Sequence, residues 1–193
     1  MPPKFKFTRD EIIKAALDLT RESGISAVTA RGLAAKLGSS SKPIFGLFQN
    51  MDEVHQEVLN AANNLYQSYI KEAINSEKSH PYKASGIAYI RFAKEETQLF
   101  KLLFMRDRSN EEINEQNEEL KPLIEIIQKN TGLNEKDAFM FHIEAWIYAH
   151  GIATMIATSY LEWDMEFINK ILTDAYIGLK YRYCEGGQNN ASN

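Results

Sequence analysis

The sequence predicts an all-α protein. Apolar residues recur at helical rather than alternating spacing, only five prolines and ten glycines interrupt 193 residues, and capping signals precede several apolar runs. About nine helices follow, arranged as an N-terminal three-helix head and a C-terminal helical body. The expected boundaries are residues 1–50 for the head, continuing into the fourth helix to about 60, then 51–185 for the body and 186–193 for a frayed tail.

Thr8-Arg9-Asp10-Glu11 forms a capping box, and Ile12, Ala15, Ala16 and Leu19 continue it at helical spacing. Ser23-Gly24 stops this first helix. Val28-Thr29 opens a second, short helix to about residue 36, with Leu33, Ala34 and Leu37 facing inward. Leu37-Gly38-Ser39 makes a turn, and Ser40 can cap a third helix over about 41–47. Phe48-Gln49-Asn50 breaks the chain before a long fourth helix from Asp52 to about 75.

The polar stretch 76–80 is a linker, with Pro81 suited to a first turn. Helix five covers about 81–94 and helix six about 97–105, followed by a polar loop over 106–110. Helix seven covers about 111–130, bent near Pro122 and ended by Thr131-Gly132. Asn134 caps helix eight, which runs to about 160, and helix nine covers about 164–183. No internal repeat is visible.

Composition narrows the function. No stretch approaches the roughly 20 apolar residues of a membrane helix, and the N-terminus lacks the apolar core of a signal peptide. The single cysteine, Cys184, rules out an intramolecular disulfide or a multi-cysteine zinc site. A cytoplasmic protein without cofactor or metal is the expectation. His142 and His150 stand eight residues apart, about 12 Å along a helix, too far to share a metal. His150 beside Gly151 reads as a hydrogen-bonded core histidine. No glycine-rich phosphate loop or nucleophile elbow occurs, so no enzyme reading has an inventory behind it.

Charge is unevenly spread. The chain carries 22 basic and 26 acidic residues, a formal net charge of −4. Its first fifty residues hold eight basic and four acidic side chains, a local +4, and leave −8 for the remainder. Such asymmetry suits a polyanion-binding head on a body with another task.

Three short helices with a Gly-containing turn between the second and third are the helix-turn-helix pattern, whose last helix lies in the major groove of DNA. Ser40, Ser41 and Lys42 are polar at the start of that helix, while Ile44 and Leu47 can pack on Leu33 and Leu37. Thr29, at a helix start, can help bind phosphate.

The run from Val28 to Phe48, with Ile12–Leu19 and Gly24 before it and Asn50-Met51-Asp52-Glu53-Val54 after it, resembles the DNA-binding domain of TetR-like transcriptional repressors (TetR/AcrR) over about residues 8–60. The resemblance implies that Thr29 and Arg31 touch the phosphate backbone and that Ser40, Ser41, Lys42 and Pro43 meet bases and phosphates. Phe45 stands where the family usually has a phosphate-binding Tyr, and keeps only apolar contact such as with a thymine methyl. Met51 stands where a phosphate-binding Lys is frequent, and Gly46 replaces a larger side chain. Lys4, Lys6 and Arg9 are the cations that could compensate.

The body shows a fainter likeness. Tyr89–Glu95, Leu99–Met105 and Trp146–Gly151 resemble a regulatory-domain subgroup with a Trp-x-x-x-His-Gly signature on its eighth helix. A TetR-like body implies an unidentified small-molecule effector and a homodimer paired through the last two helices. Phe92, Phe100, Phe104, Phe141, Trp146 and His150 are the expected pocket residues, although core packing explains these aromatics about as well. Helix eight is apolar on nearly every side, as a helix buried all round would be. Its alanines at every fourth position suit close helix approach. The expected dimer contacts are Ala149, Ala153, Ile156, Ile168, Leu172, Ala175 and Leu179. The whole reads as a homodimeric repressor on palindromic double-stranded operator DNA. The competing reading is a helical protein–protein interaction module without DNA binding.

Overall fold

The structure, a computed structural model, describes residues 6–77, 79–107, 109 and 120–185. Among the described residues it is all-helical, with no strand. The helices are α1 (Arg9–Ser23), α2 (Ala30–Lys36), α3 (Lys42–Phe45), α4 (Met51–Ser76), α5 (Pro81–Glu95), α6 (Thr97–Phe104), α7 (Lys121–Thr131), α8 (Glu135–Ala157) and α9 (Met165–Lys180). A 3-10 turn, Ile25–Ala27, precedes α2, and a π-helical turn, Tyr181–Glu185, follows α9. No helix among the described residues is long and apolar enough to cross a membrane.

Local chemistry accounts for the ends. Thr8 and Glu11 form the capping box of α1. Thr29, Asn134 and Asp164 cap α2, α8 and α9 through their side chains. Gly132, at φ 76°, closes α7 in the left-handed conformation. Pro122 sits in the first turn of α7 rather than at a bend, since a proline is tolerated where no helical N–H partner is needed. The expected start of that helix at 111 lies outside the described residues, as does the tail 186–193. Ser41, not Ser40, occupies the N-cap of α3 and makes no side-chain capping bond. The helix is only four residues long, because Gly46 and the turn to Phe48 end it early.

The chain divides into two compact units, Met1–Ser68 with Glu95–Asp107 and Tyr69–Lys94 with Arg108–Asn193. In the first, Ile12, Ala16, Val28, Leu33, Ile44, Phe48, Val54 and Val58 form the core, and Leu102 of α6 packs against it. In the second, Tyr82, Ile124, Ile127, Ala138 and Phe141 form a core. The Phe141 ring meets Tyr82, Tyr176 and Tyr183 at centroid distances of 6.0, 5.6 and 5.8 Å. Such edge-on aromatic packing adds to simple burial.

Candidate nucleic-acid interface

The head is built around contacts that hold α2 and α3 in place. Gly32 lies so close to the 3-10 turn that an added Cβ would stand 2.5 Å from the Ala27 carbonyl oxygen. Only glycine fits there. His55 of α4 donates from Nε2 to the Val28 carbonyl, 2.6 Å away, fixing the chain just before α2. Gly38, at φ 59°, makes the turn between α2 and α3.

Arg9 has a structural duty. Its guanidinium donates to the Leu47 carbonyl (2.7 Å), Glu53 (2.8 Å) and Glu57 (3.1 Å), and lies 4.2 Å from the centre of the Phe48 ring. The hydrogen bond from Arg9 to Glu53 is the main reason its pKa is raised. The Glu53 carboxyl is lowered in turn by the Gln49 amide and then by Arg9. Arg9 therefore ties α1 to the end of the helix-turn-helix and is not a spare cation for phosphate. Arg21 is likewise committed, to Glu96 and Asp18, and Lys36 to Glu22.

Five of the seven expected DNA-contacting residues face outward. Thr29, Arg31, Ser40, Lys42 and Phe45 are exposed, and Ser41 and Pro43 are half-buried. Neither Arg31 nor Lys42 has an ion-pair partner among the described residues. The Thr29 side-chain oxygen accepts from the Gly32 amide at 3.0 Å, which leaves its proton to donate elsewhere. Phe45 is 49% exposed although its neighbour Ile44 is wholly buried. Met51 instead packs against the head's core.

The expected pocket residues fall in both units. Phe100 and Phe104, in the first, lie 5.2 Å apart. Phe92, Phe141, Trp146 and His150 are in the second. Trp146 stacks on His150 at 4.9 Å with 23° between the planes, and a 2.7 Å hydrogen bond joins His150 Nδ1 to the Tyr89 hydroxyl. A parallel pair joins His142 Nδ1 to Tyr82 at 3.0 Å. Burial holds both histidines towards the neutral form, pushing His142 down to about 4 and lowering His150. Sequence reading missed the tyrosine partners, whose seven-residue spacing on α5 was the available signal.

The last two helices divide their apolar residues. Ala149, Ala153, Ile168 and Leu172 are buried within their own unit and offer almost no surface to a second copy. Ile156, Ala175 and Leu179 are half-buried. The exposed apolar surface comes instead from Phe139, Met140, Trp146, Ile147, Tyr148 and Met155 of α8, Phe167 and Ile177 of α9, and Tyr181 beyond it. An every-fourth alanine pattern cannot reveal which way it faces; here it faces the chain's own core.

Fold and surface define a class, an all-helical protein with a helix-turn-helix in one compact unit and a helical second unit that exposes apolar residues. Residues 82–175 match the family model described as tetracyclin repressor-like, C-terminal domain. The matched segment contains Trp146, His150 and Gly151. No curated protein matches the chain.

Proposed function

We propose that the chain is a homodimeric transcriptional regulator rather than an enzyme, a repressor that a small molecule releases from palindromic DNA. The observation that carries this reading is the surface of the helix-turn-helix. Lys42 and Arg31 are exposed and have no ion-pair partner among the described residues, and Thr29 caps the helix that carries Arg31, whereas Arg9, Arg21 and Lys36 are committed to carboxylates. The tetracyclin repressor-like domain supports the same class. Two copies joined through α8 and α9 would set two recognition helices in successive major grooves. An effector that binds one spacing of the heads better than the other would shift the population and weaken DNA binding.

The test is a gel-shift titration with a duplex selected by the full chain from random DNA. Lys42→Ala is expected to weaken binding about tenfold, or about 1.4 kcal/mol, and to reduce the salt slope by about one, with the oligomeric state unchanged. Unchanged affinity would remove α3 as the recognition helix.

A further inference from the structure

We infer that Arg91 is an oxyanion-binding residue and that the effector carries a carboxylate or phosphate group. The second half of this inference rests on the effector reading above. Arg91 lies on α5 in the second unit, its guanidinium carbon 5.0 Å from the centre of the Tyr69 ring. Tyr69 is set edge-on to Phe92, at 5.3 Å and 79°, and Phe92 is wholly buried.

The Arg91 Nε is enclosed and has no hydrogen-bond partner. Nor does Arg91 pair with any carboxylate of the described chain, whereas Arg9, Arg21 and Arg182 each do. The aromatic ring takes the face of the guanidinium. Of the in-plane donors, which match the two oxygens of a carboxylate or phosphate, Nε is enclosed without an acceptor, and the terminal nitrogens of this half-buried side chain have none within the described chain.

An enclosed N–H with no acceptor is destabilising even on a side chain that is only half-buried. A methionine would fill much of the same space without that penalty. A ligand oxyanion would supply both missing elements, the acceptor and the counter-charge, in surroundings that strengthen the attraction.

The experiment is thermal unfolding of the full chain with benzoate, octanoate or inorganic phosphate, and with neutral benzamide as control. The wild type is expected to be stabilised by at least one oxyanion and not by benzamide, and the carboxylate and phosphate arms tell the two sources apart. Arg91→Met is expected to raise the unliganded Tm by about 2–4 °C and to abolish the anion shift. Arg91→Lys keeps the charge but not the fork, and is expected to retain only part of that shift.

A fall in unliganded Tm for Arg91→Met would make Arg91 a packing residue and overturn the inference. So would an anion shift that survives in that variant, or a wild type that no oxyanion stabilises. DNA retention under the stabilising anion separates the two readings. Stabilisation lost in Arg91→Met, together with an unaffected DNA complex, would leave the oxyanion site standing and remove the effector role.

Discussion

The two units dispose of their surface residues in opposite ways. Among the described residues, the first unit exposes only Phe45 and Met105 as large apolar side chains, and ties Arg9, Arg21 and Lys36 into ion pairs while leaving Arg31 and Lys42 unpaired. The second exposes apolar residues along both α8 and α9. A surface of free cations suits a strongly hydrated polyanion, whose phosphates release counterions when met. Exposed apolar side chains suit another protein surface. The contrast teaches that one chain can need two unlike partners, and that each unit should fail alone when its own surface is altered.

The largest effect is expected where the second unit is attacked. Ile147 and Ile177 are each 58% exposed, so replacing both by Glu costs the isolated chain little. In a dimer through this face each copy would bury two unpaired carboxylates. Association is expected to weaken by more than about 3 kcal/mol, over a hundredfold. Light scattering after size exclusion checks it; a double variant with the wild type's mass would move the interface elsewhere.

Acid should soften the second unit next. His142 is held neutral, with a pKa of about 4 against an ordinary 6.5. Between those values the unfolded chain binds a proton that the folded one does not. Stability is therefore fully present above pH 6.5 and falls as pH drops towards 4, by about 3 kcal/mol in all. Both tryptophans, Trp146 and Trp163, lie in this unit, so urea unfolding followed by tryptophan fluorescence reads it selectively. His142→Gln is expected to flatten the profile. A wild-type profile already flat from pH 6.5 to 5 would show that His142 is not buried neutral.

Sequence made the helices legible because their signals are local. Thr8 with Glu11, Asn134 and Gly132 each act within a turn of the chain, and each did what its type predicts. Charge was legible only as a sum. Whether a cation is spare depends on residues far along the chain: Arg9 meets Glu53 and Glu57, 44 and 48 residues away, and Arg21 meets Glu96, 75 away. The +4 counted over residues 1–50 left out those carboxylates. In α8 the difficulty is different. Apolar residues on every side leave no direction to read, so the inward turn of Ala149 and Ala153 and the outward turn of Ile147 become clear only from packing.

The smallest expected effect is the sharpest test of the head. Phe45 is half-exposed, one turn beyond the N-cap of α3, where TetR-like heads usually carry a tyrosine. Its ring has left the core to Ile44, so a hydroxyl added at its tip meets no packing constraint in the free protein. Phe45→Tyr should leave the Tm unchanged. If the ring lies against the duplex, the new hydroxyl gains a phosphate acceptor and tightens DNA binding by about 0.5–1.5 kcal/mol, between about twofold and tenfold. Because the hydroxyl is uncharged and displaces no counterion of its own, the salt slope should stay as it is. Tighter binding at constant slope would place Phe45 on the DNA. Unchanged affinity would leave the exposed ring without a role there and narrow the interface to Thr29, Arg31 and the start of α3.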